Sequence, residues 1–214
     1  MAAIDRFFDG VFAPLEAWLP ALQQQLTERL AHGPLTGAQL CALIERDAHA
    51  ILESTDRPLY GAGYCATDEI VTEGNPLAWW QGPERSLLAS STFGPGQAAI
   101  DLERLEWYRV PAETGERHVA GPFVDYLCSN EITVTSSLPV VLDGGFSGVV
   151  CADLLVSTLE DLLLPLIRDA GATALVNANG RVVVSDDPAL ETGDRYTGQG
   201  ELIRSARYPF ALVA

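Results

Sequence analysis

Apolar residues recur at three- and four-residue steps over residues 5–31, which predicts a long amphipathic helix. Pro14 and Pro20 are expected to bend or break this helix, because proline lacks a backbone N–H. Thr36 and Gln39 then have the spacing of a capping box, which predicts a second helix directly after them. The apolar stripe of the first helix consists of Phe8, Val11, Phe12, Leu15, Leu19, Leu22, Leu26 and Leu30.

From Tyr60 onward, short strand-like runs alternate with turns rich in Gly, Pro, Asn and Asp. Asp143-Gly-Gly145 predicts a tight hairpin between two of these runs. A helix is predicted around the middle of 100–112, and another over 158–170, where Ser157-Thr-Leu-Glu160 resembles a capping box. The predicted strands are 59–66, 77–81, 87–91, 118–123, 132–142, 146–155, 174–177, 181–185 and 208–213.

This order of elements predicts an α+β fold with three regions. Residues 1–56 form an N-terminal helical region, and 57–157 form a larger lobe with an antiparallel sheet. Residues 158–214 form a smaller α/β lobe. Because so short a segment buries little apolar surface by itself, we expect it to pack against the larger lobe.

The charge of the chain limits the kinds of partner it can bind. Its 214 residues include 29 acidic and 13 basic side chains, which gives a net charge of −16. This field disfavours nucleic acids and anionic membranes, and it suits a cationic or zwitterionic ligand. All the basic residues are arginines, so Schiff-base and P-loop chemistry, which need a lysine amine, are excluded.

The 4 cysteines form no Cys-x-x-Cys pair, and the 3 histidines are scattered without metal-ligand spacing. We therefore expect buried, reduced thiols at Cys41, Cys65, Cys128 and Cys151, and neither a metal nor a cofactor. The first residues lack the pattern of a secretory signal, and no apolar run approaches the ~18 residues of a membrane-spanning helix. The sequence thus predicts a cytoplasmic protein.

Several segments, taken in their order along the chain, resemble the double Cache family of bacterial ligand-sensing domains. They are Trp107–Gly115, Gly121–Tyr126, Ile132–Val141 and Gly145–Leu154, followed by a hairpin over Ala174–Pro188. The resemblance implies two PAS-like lobes on a long helix, with the ligand in the larger lobe. Family members sit between membrane helices and feed an output domain, so this chain is expected to be a free-standing, soluble member.

In amino-acid-binding members of that family, an Arg, a Trp and an aromatic residue hold the ligand carboxylate. A Tyr-x-Asp pair and a later Asp hold its ammonium group. Carried over by position, the resemblance implies a ligand site made of Trp107, Tyr108, Phe123, Asp125 and Asp153.

The arginine of this pattern is missing. Its position is occupied by Leu105, and Arg104 is one residue too early to point the same way. Without a bidentate guanidinium the carboxylate loses its partner, whereas carboxylates and aromatic faces still suit an ammonium. We therefore expect an amine ligand (a polyamine, a biogenic amine or a quaternary ammonium); the alternative is an amino acid.

Two other classes of protein stay open at this point. The chain can be an interaction or scaffold protein that has kept the fold and lost the pocket. It can also be an enzyme that uses Asp125 and Asp153 as an acid–base pair. We expect no enzyme, because Ser147 lacks the glycine spacing of a nucleophile elbow. A sensor would pass its signal to a regulator protein or through a homodimer.

Overall fold

The computed structural model describes residues 1–54, 57–88, 101–126 and 130–214 and has the predicted α+β fold. The helices are α1 (Ala2–Leu30), α2 (Gly37–Ser54), α3 (Glu106–Thr114) and α4 (Val156–Asp169), with a 3-10 turn over Leu102–Arg104. The strands are β1 (Leu35–Thr36), β2 (Gly61–Ala66), β3 (Val71–Glu73), β4 (Leu77–Gln81), β5 (Ser86–Leu87), β6 (His118–Val124), β7 (Ile132–Leu142), β8 (Gly145–Leu155), β9 (Ala174–Asn177), β10 (Val182–Ser185), β11 (Leu202–Arg204) and β12 (Phe210–Val213).

The strands form a six-stranded sheet, a four-stranded sheet and a parallel pair of β1 with β3. The larger sheet has the order β5-β4-β2-β8-β7-β6, in which the successive strands β6, β7 and β8 are neighbours. Its strand β2 pairs antiparallel with β4 on one side and with β8 on the other. The smaller sheet has the order β10-β9-β12-β11.

The chain divides into two compact units. Unit 1 comprises Met1–Gly10, Val119–Thr135 and Leu154–Ala214, and unit 2 comprises Val11–His118 and Ser136–Asp153. The predicted regions, with boundaries after residues 56 and 157, stay a prediction. One apolar cluster of unit 1 contains Ala174, Val176, Val182, Ala211 and Val213.

Helix α1 continues through both of its prolines, so of the expected bend or break the break is wrong, and the bend stays a prediction. Pro20 is exposed and Pro14 is half-buried. Each proline removes one backbone hydrogen bond. The apolar stripe runs on through Leu15, Leu22 and Leu26, which are fully buried, and this packing offsets the local loss.

The two predicted capping boxes have different outcomes. Thr36 and Gln39 form theirs: the Gln39 N–H donates to Thr36 Oγ1 at 3.3 Å, and the Thr36 N–H donates to Gln39 Oε1 at 3.0 Å. The box predicted at Ser157 is wrong, because β8 leads directly into α4 and Leu155 is the N-cap without a side-chain bond. Gly171 follows the end of α4 with φ +68°, as the stop signal predicts.

Within unit 1, the first turns of α1 pack against the last segment of the chain. Asp9 accepts hydrogen bonds from Arg207 Nη1 at 2.5 Å and from Tyr208 Oη at 2.7 Å. The Phe8 ring stacks on Phe210, with ring centroids 4.8 Å apart. Apolar and polar contacts together therefore fix the start of α1 on β12.

Three short strands, β1, β3 and β11, lie outside the predicted ones, because two or three residues show no readable alternation. Of the predicted strand 87–91, residues 89–91 lie outside the described ones, as does Cys128. Cys65 and Cys151 are buried free thiols as expected, and Cys41 is half-buried. Over the described residues, no helix combines the length and apolar character that a bilayer crossing demands.

Candidate functional site

The central strand β2 places a glycine next to a carboxylate in unit 2. Gly61 pairs with Asp153 on β8 and with Gln81 on β4, so these three residues form one row across the sheet. The next row on the same face contains Gly63, flanked by Trp79 and Cys151. Since neither glycine carries a side chain, the flanking side chains of β4 and β8 define this face.

The side chains of Trp79 and Asp153 converge above Gly61. A Cβ atom at Gly61 would lie 2.9 Å from Trp79 Nε1 and 3.4 Å from Asp153 Oδ2. Both residues are 3% exposed. A buried carboxylate and a buried indole N–H that lie close to one point can contact the two ends of a polar ligand, which marks this point as a candidate site.

Helix α3 brings further aromatic rings to the same unit. The Trp107 ring lies 6.4 Å from the Trp79 ring, with the two planes tilted by 41°. Tyr108 contacts Trp107 at 6.1 Å and Phe146 at 5.4 Å between ring centroids, edge to face in both cases. The four rings form one continuous aromatic cluster next to Asp153.

The opposite face of β4 packs in the hydrophobic core. Trp80 alternates with Trp79 and packs edge to face on His49 of α2, with ring centroids 5.7 Å apart. From the sequence alone, the Trp79-Trp80 pair is expected to fill the core, with the wall of a pocket as the alternative. The strand separates the two indoles, so that only Trp79 faces Asp153.

The surroundings of these aromatic rings are acidic. Burial, followed by the nearby Cys65, Asp68 and Glu103, raises the pKa of the Tyr108 phenol. Burial and the charge of Asp153 raise the pKa of the Cys151 thiol. Tyr108 therefore stays a neutral hydroxyl, and the local field favours a positively charged group.

Tyr108 also lines a cavity of about 740 Å³ in unit 2. Among the described residues, its charged lining is mostly carboxylate, and the guanidinium of Arg109 is paired with Glu113 at 2.9 Å. Within the described ranges, no group of three or more His, Cys, Asp or Glu side chains is arranged to hold a metal ion. The other lining residues are Thr67, Asp68, Glu69, Asp101, Leu102, Glu103, Ala112 and Phe146.

Two residues shortly before Trp107, Arg104 and Leu105, supply no guanidinium to the candidate site. Leu105 is the N-cap of α3, and Arg104 pairs with Asp101 at 2.8 Å in a side chain that is 84% exposed. Arg104 therefore lies at the surface and is engaged by Asp101, and its relation to the arginine implied by the resemblance stays a prediction. A ligand carboxylate here would need another donor.

The five residues implied by the resemblance are divided between the two units. Trp107, Tyr108 and Asp153 lie together in unit 2, whereas Phe123 and Asp125 belong to unit 1. Phe123 is half-buried on β6. Asp125 is 8% exposed, and its backbone bonds to Glu131 O at 3.0 Å and to the Asn130 N–H at 2.8 Å hold its loop.

Sequence reasoning missed the part of this arrangement that β2 and β4 supply. Gly61 and Gly63 alternate inside a buried strand, and a glycine pair of this kind marks close approach by a neighbouring group. The sequence alone shows this glycine alternation. It does not show that Gly61 pairs with both Gln81 and Asp153, because strand order and register depend on the whole sheet.

Comparisons with known proteins agree with this fold. No protein-family model matches the chain. The methyl-accepting chemotaxis protein TlpQ of Pseudomonas aeruginosa is 30% identical over 110 residues, which are 51% of this chain and 14% of that protein. The chain therefore spans a small part of the length of this curated relative.

Two solved structures cover nearly the whole chain. The ligand-binding domain of the Pseudomonas aeruginosa amino acid chemoreceptor PctC, in complex with GABA, has a TM-score of 0.53 and 17% identity, and covers 96% of this chain and 93% of its own. That of the Pseudomonas fluorescens chemoreceptor CtaA, in complex with L-valine, has a TM-score of 0.51 and 16% identity, with 99% and 96% covered. The α+β fold thus matches that of chemoreceptor ligand-binding domains.

Proposed function

We propose that this chain is a small-molecule-binding sensor domain of the double Cache type, and that it binds an amino compound. The observation that carries the proposal is the nearly complete burial of Asp153 beside Trp79, whose ring in turn lies 6.4 Å from that of Trp107. A carboxylate in such a place is stabilised by a positively charged ligand. The indole faces add cation–π attraction of about 0.5–2 kcal/mol.

Two ligand classes compete for this site. The missing arginine favours an amine without a carboxylate, as the sequence predicts. The GABA and L-valine complexes of the similar structures favour a ligand that carries both an amino and a carboxylate group. We give the amino acid class precedence, because two structures of the same fold hold such ligands and only a single substituted position, Leu105, argues against it.

The remaining parts of the proposal follow from the resemblance. Phe123 and Asp125 are proposed as further ligand residues, and substitution of each in the same assay tests them. The domain is proposed to bind without catalysis and to pass its signal to a regulator protein or a second copy. The cytoplasmic location and the free-standing state stay predictions.

A thermal-shift screen followed by titration calorimetry tests the ligand class. The panel pairs each amino acid with the amine that lacks its carboxylate: L-valine with isobutylamine, GABA with propylamine, and histidine with histamine. Spermidine and choline complete it. A ligand at a hundred times its Kd stabilises the folded protein by about 2.7 kcal/mol, which gives a readily measured rise in Tm.

The variant Asp153→Asn tests the role of the buried carboxylate. It keeps the size of the side chain and removes the charge, so binding of every amino compound is expected to fall at least tenfold. Asp161→Asn, at an exposed position on α4, is the matched control and is expected to bind normally. If Asp153→Asn binds as tightly as the wild type, Asp153 is not the ammonium partner.

Failure of the whole panel would overturn the sensor proposal and favour the scaffold protein. If NMR spectra recorded over hours show that a bound compound is converted chemically, the alternative that the chain is an enzyme is favoured. Both outcomes are distinct from loss of binding in a single variant.

A further inference from the structure

We propose that the Trp79 indole N–H donates a hydrogen bond to an acceptor oxygen of the ligand and thereby replaces the arginine that is missing at position 105. This inference rests on the proposed function, in which Asp153 holds the amino group of the same ligand. It narrows the ligand to compounds that carry a carboxylate or carbonyl oxygen a few bonds from the ammonium.

The first observation is an unsatisfied donor. Trp79 is 3% exposed, yet its Nε1 atom has no hydrogen-bond partner among the described residues. Buried N–H groups are nearly always paired, because an unpaired one loses its bonds to water without compensation. Trp18 shows the usual situation in this unit, since its Nε1 donates to Asp47.

The second observation is the position of that donor. Trp79 Nε1 and Asp153 Oδ2 lie within 2.9 and 3.4 Å of the same point above Gly61. A neutral donor and a carboxylate this close to one point match the two ends of a zwitterion. The buried Gln81 Oε1 atom, which also has no hydrogen-bond partner in the described part of the chain, adds a second acceptor in the same row of the sheet.

The third observation concerns what the donor replaces. Arg104 is paired with Asp101 at the surface, and Leu105 has no polar group to offer. An indole supplies one uncharged donor in place of a bidentate guanidinium. The preference for an amino acid over the matching amine is therefore expected to be present but smaller than an arginine would give.

The experiment compares Trp79→Phe with wild type on the matched ligand pairs. The substitution removes the N–H and keeps an aromatic ring. We expect the affinity for L-valine or GABA to fall about tenfold or more, as for loss of a bond to a charged acceptor, and the affinity for isobutylamine or propylamine to change less than threefold. Trp80→Phe, on the opposite face of β4, is the matched control and should leave both affinities unchanged.

A spectroscopic measurement on the wild type avoids any dependence on variant folding. The indole N–H resonances are recorded in a ¹H–¹⁵N spectrum, and the Trp79 signal is identified by its absence in Trp79→Phe. A new hydrogen bond moves the proton downfield. We expect that shift on addition of the amino acid and not on addition of the matching amine.

The outcomes separate the two proposals. If the amino acid binds the wild type but the ratio of amino acid to amine affinity is the same in Trp79→Phe, the inference is wrong and the proposed function stands. If Trp79→Phe lowers the affinity for the amino acid and for the matching amine equally, Trp79 acts through ring packing, and this result also overturns the inference. If no compound binds the wild type, the proposed function fails and the inference falls with it.

Discussion

Trp18 donates a hydrogen bond from its indole nitrogen to Asp47 Oδ2 over 3.2 Å, and this bond ties α1 to α2. The Gln25 side chain donates to the same oxygen at 3.4 Å. Trp18 and Trp79 are both at least nine-tenths buried, but within the described ranges only the Trp18 N–H of these two is paired. The two tryptophans therefore form a natural comparison between a satisfied and an unsatisfied buried donor.

Replacing these tryptophans by phenylalanine should have unequal effects on stability. Trp18→Phe removes a hydrogen bond to a carboxylate, whereas Trp79→Phe removes a donor that has no partner among the residues that the structure describes. We expect Trp18→Phe to lower the free energy of unfolding by about 1–2 kcal/mol more than Trp79→Phe does. Urea denaturation followed by circular dichroism measures both; equal losses would show that Trp79 Nε1 is paired in solution.

A methyl group at Gly61 is expected to disturb the site. In Gly61→Ala, the new Cβ would approach Trp79 Nε1 to 2.9 Å, so that the indole must move away from Asp153. Overpacking of this kind costs about 1–3 kcal/mol of stability, and ligand affinity should fall at least tenfold. The measurement is a thermal melt with and without saturating ligand.

Gly145→Ala is the matched control for that change. It places a methyl group on β8 of the same unit, where the nearest atom is Leu142 O at 3.6 Å. We expect stability within about 0.5 kcal/mol of wild type and unaltered binding. Normal binding by Gly61→Ala would contradict the placement of the site above Gly61.

Asp9 is predicted to anchor the start of α1 within unit 1. Asp9→Ala removes the acceptor for both Arg207 and Tyr208, and it leaves the partly buried tyrosine hydroxyl without its partner. We expect a loss of about 1–2 kcal/mol in the free energy of unfolding. Arg207→Ala should cost less, about 0–1 kcal/mol, because the ion pair is substantially exposed.

A double-mutant cycle separates the hydrogen bond from other effects of that substitution. Asp9→Ala and Tyr208→Phe are made singly and together, and each is unfolded in urea. Coupling of at least about 0.5 kcal/mol is expected for groups in direct contact. Strict additivity would show that Asp9 contributes through the helix and not through Tyr208.

The thiols of Cys65 and Cys151 are expected to resist modification in the folded protein. Burial raises the pKa of both thiols. At pH 8 the reactive thiolate form is therefore scarcer than in an exposed cysteine. In the variant Cys41→Ser/Cys128→Ser, DTNB at pH 8 should label neither thiol until denaturant is added. Rapid labelling of the native protein would show that unit 2 opens on the timescale of the reaction.

The sequence predicted the elements that depend on local chemistry. Strand β7 over Ile132–Leu142 and strand β4 over Leu77–Gln81 have the predicted bounds, and the capping box of Thr36 forms as its spacing indicates. The sequence predicts a bend or a break at Pro14 and Pro20, and the helix does not break there, because local propensity does not register the packing on either side of a proline.

Patterning also has limits within a correct strand. Aliphatic and hydroxyl side chains alternate over residues 132–135, a pattern typical of a half-buried strand, yet Thr133, Thr135, Ser136 and Ser137 are all buried along with Val134. Hydroxyl side chains are compatible with either environment, so their presence does not show which face is covered.

By itself, then, the sequence determined the α+β class, the acidic character of the chain and Asp153 as a candidate carboxylate. Only the tertiary structure decided that Asp153 lies opposite Gly61, that Trp79 and not Trp80 faces it, and that Arg104 is engaged elsewhere. The physical reason is that sheet register and helix docking bring together residues far apart in sequence. Those contacts depend on how the whole core packs, which no local pattern encodes.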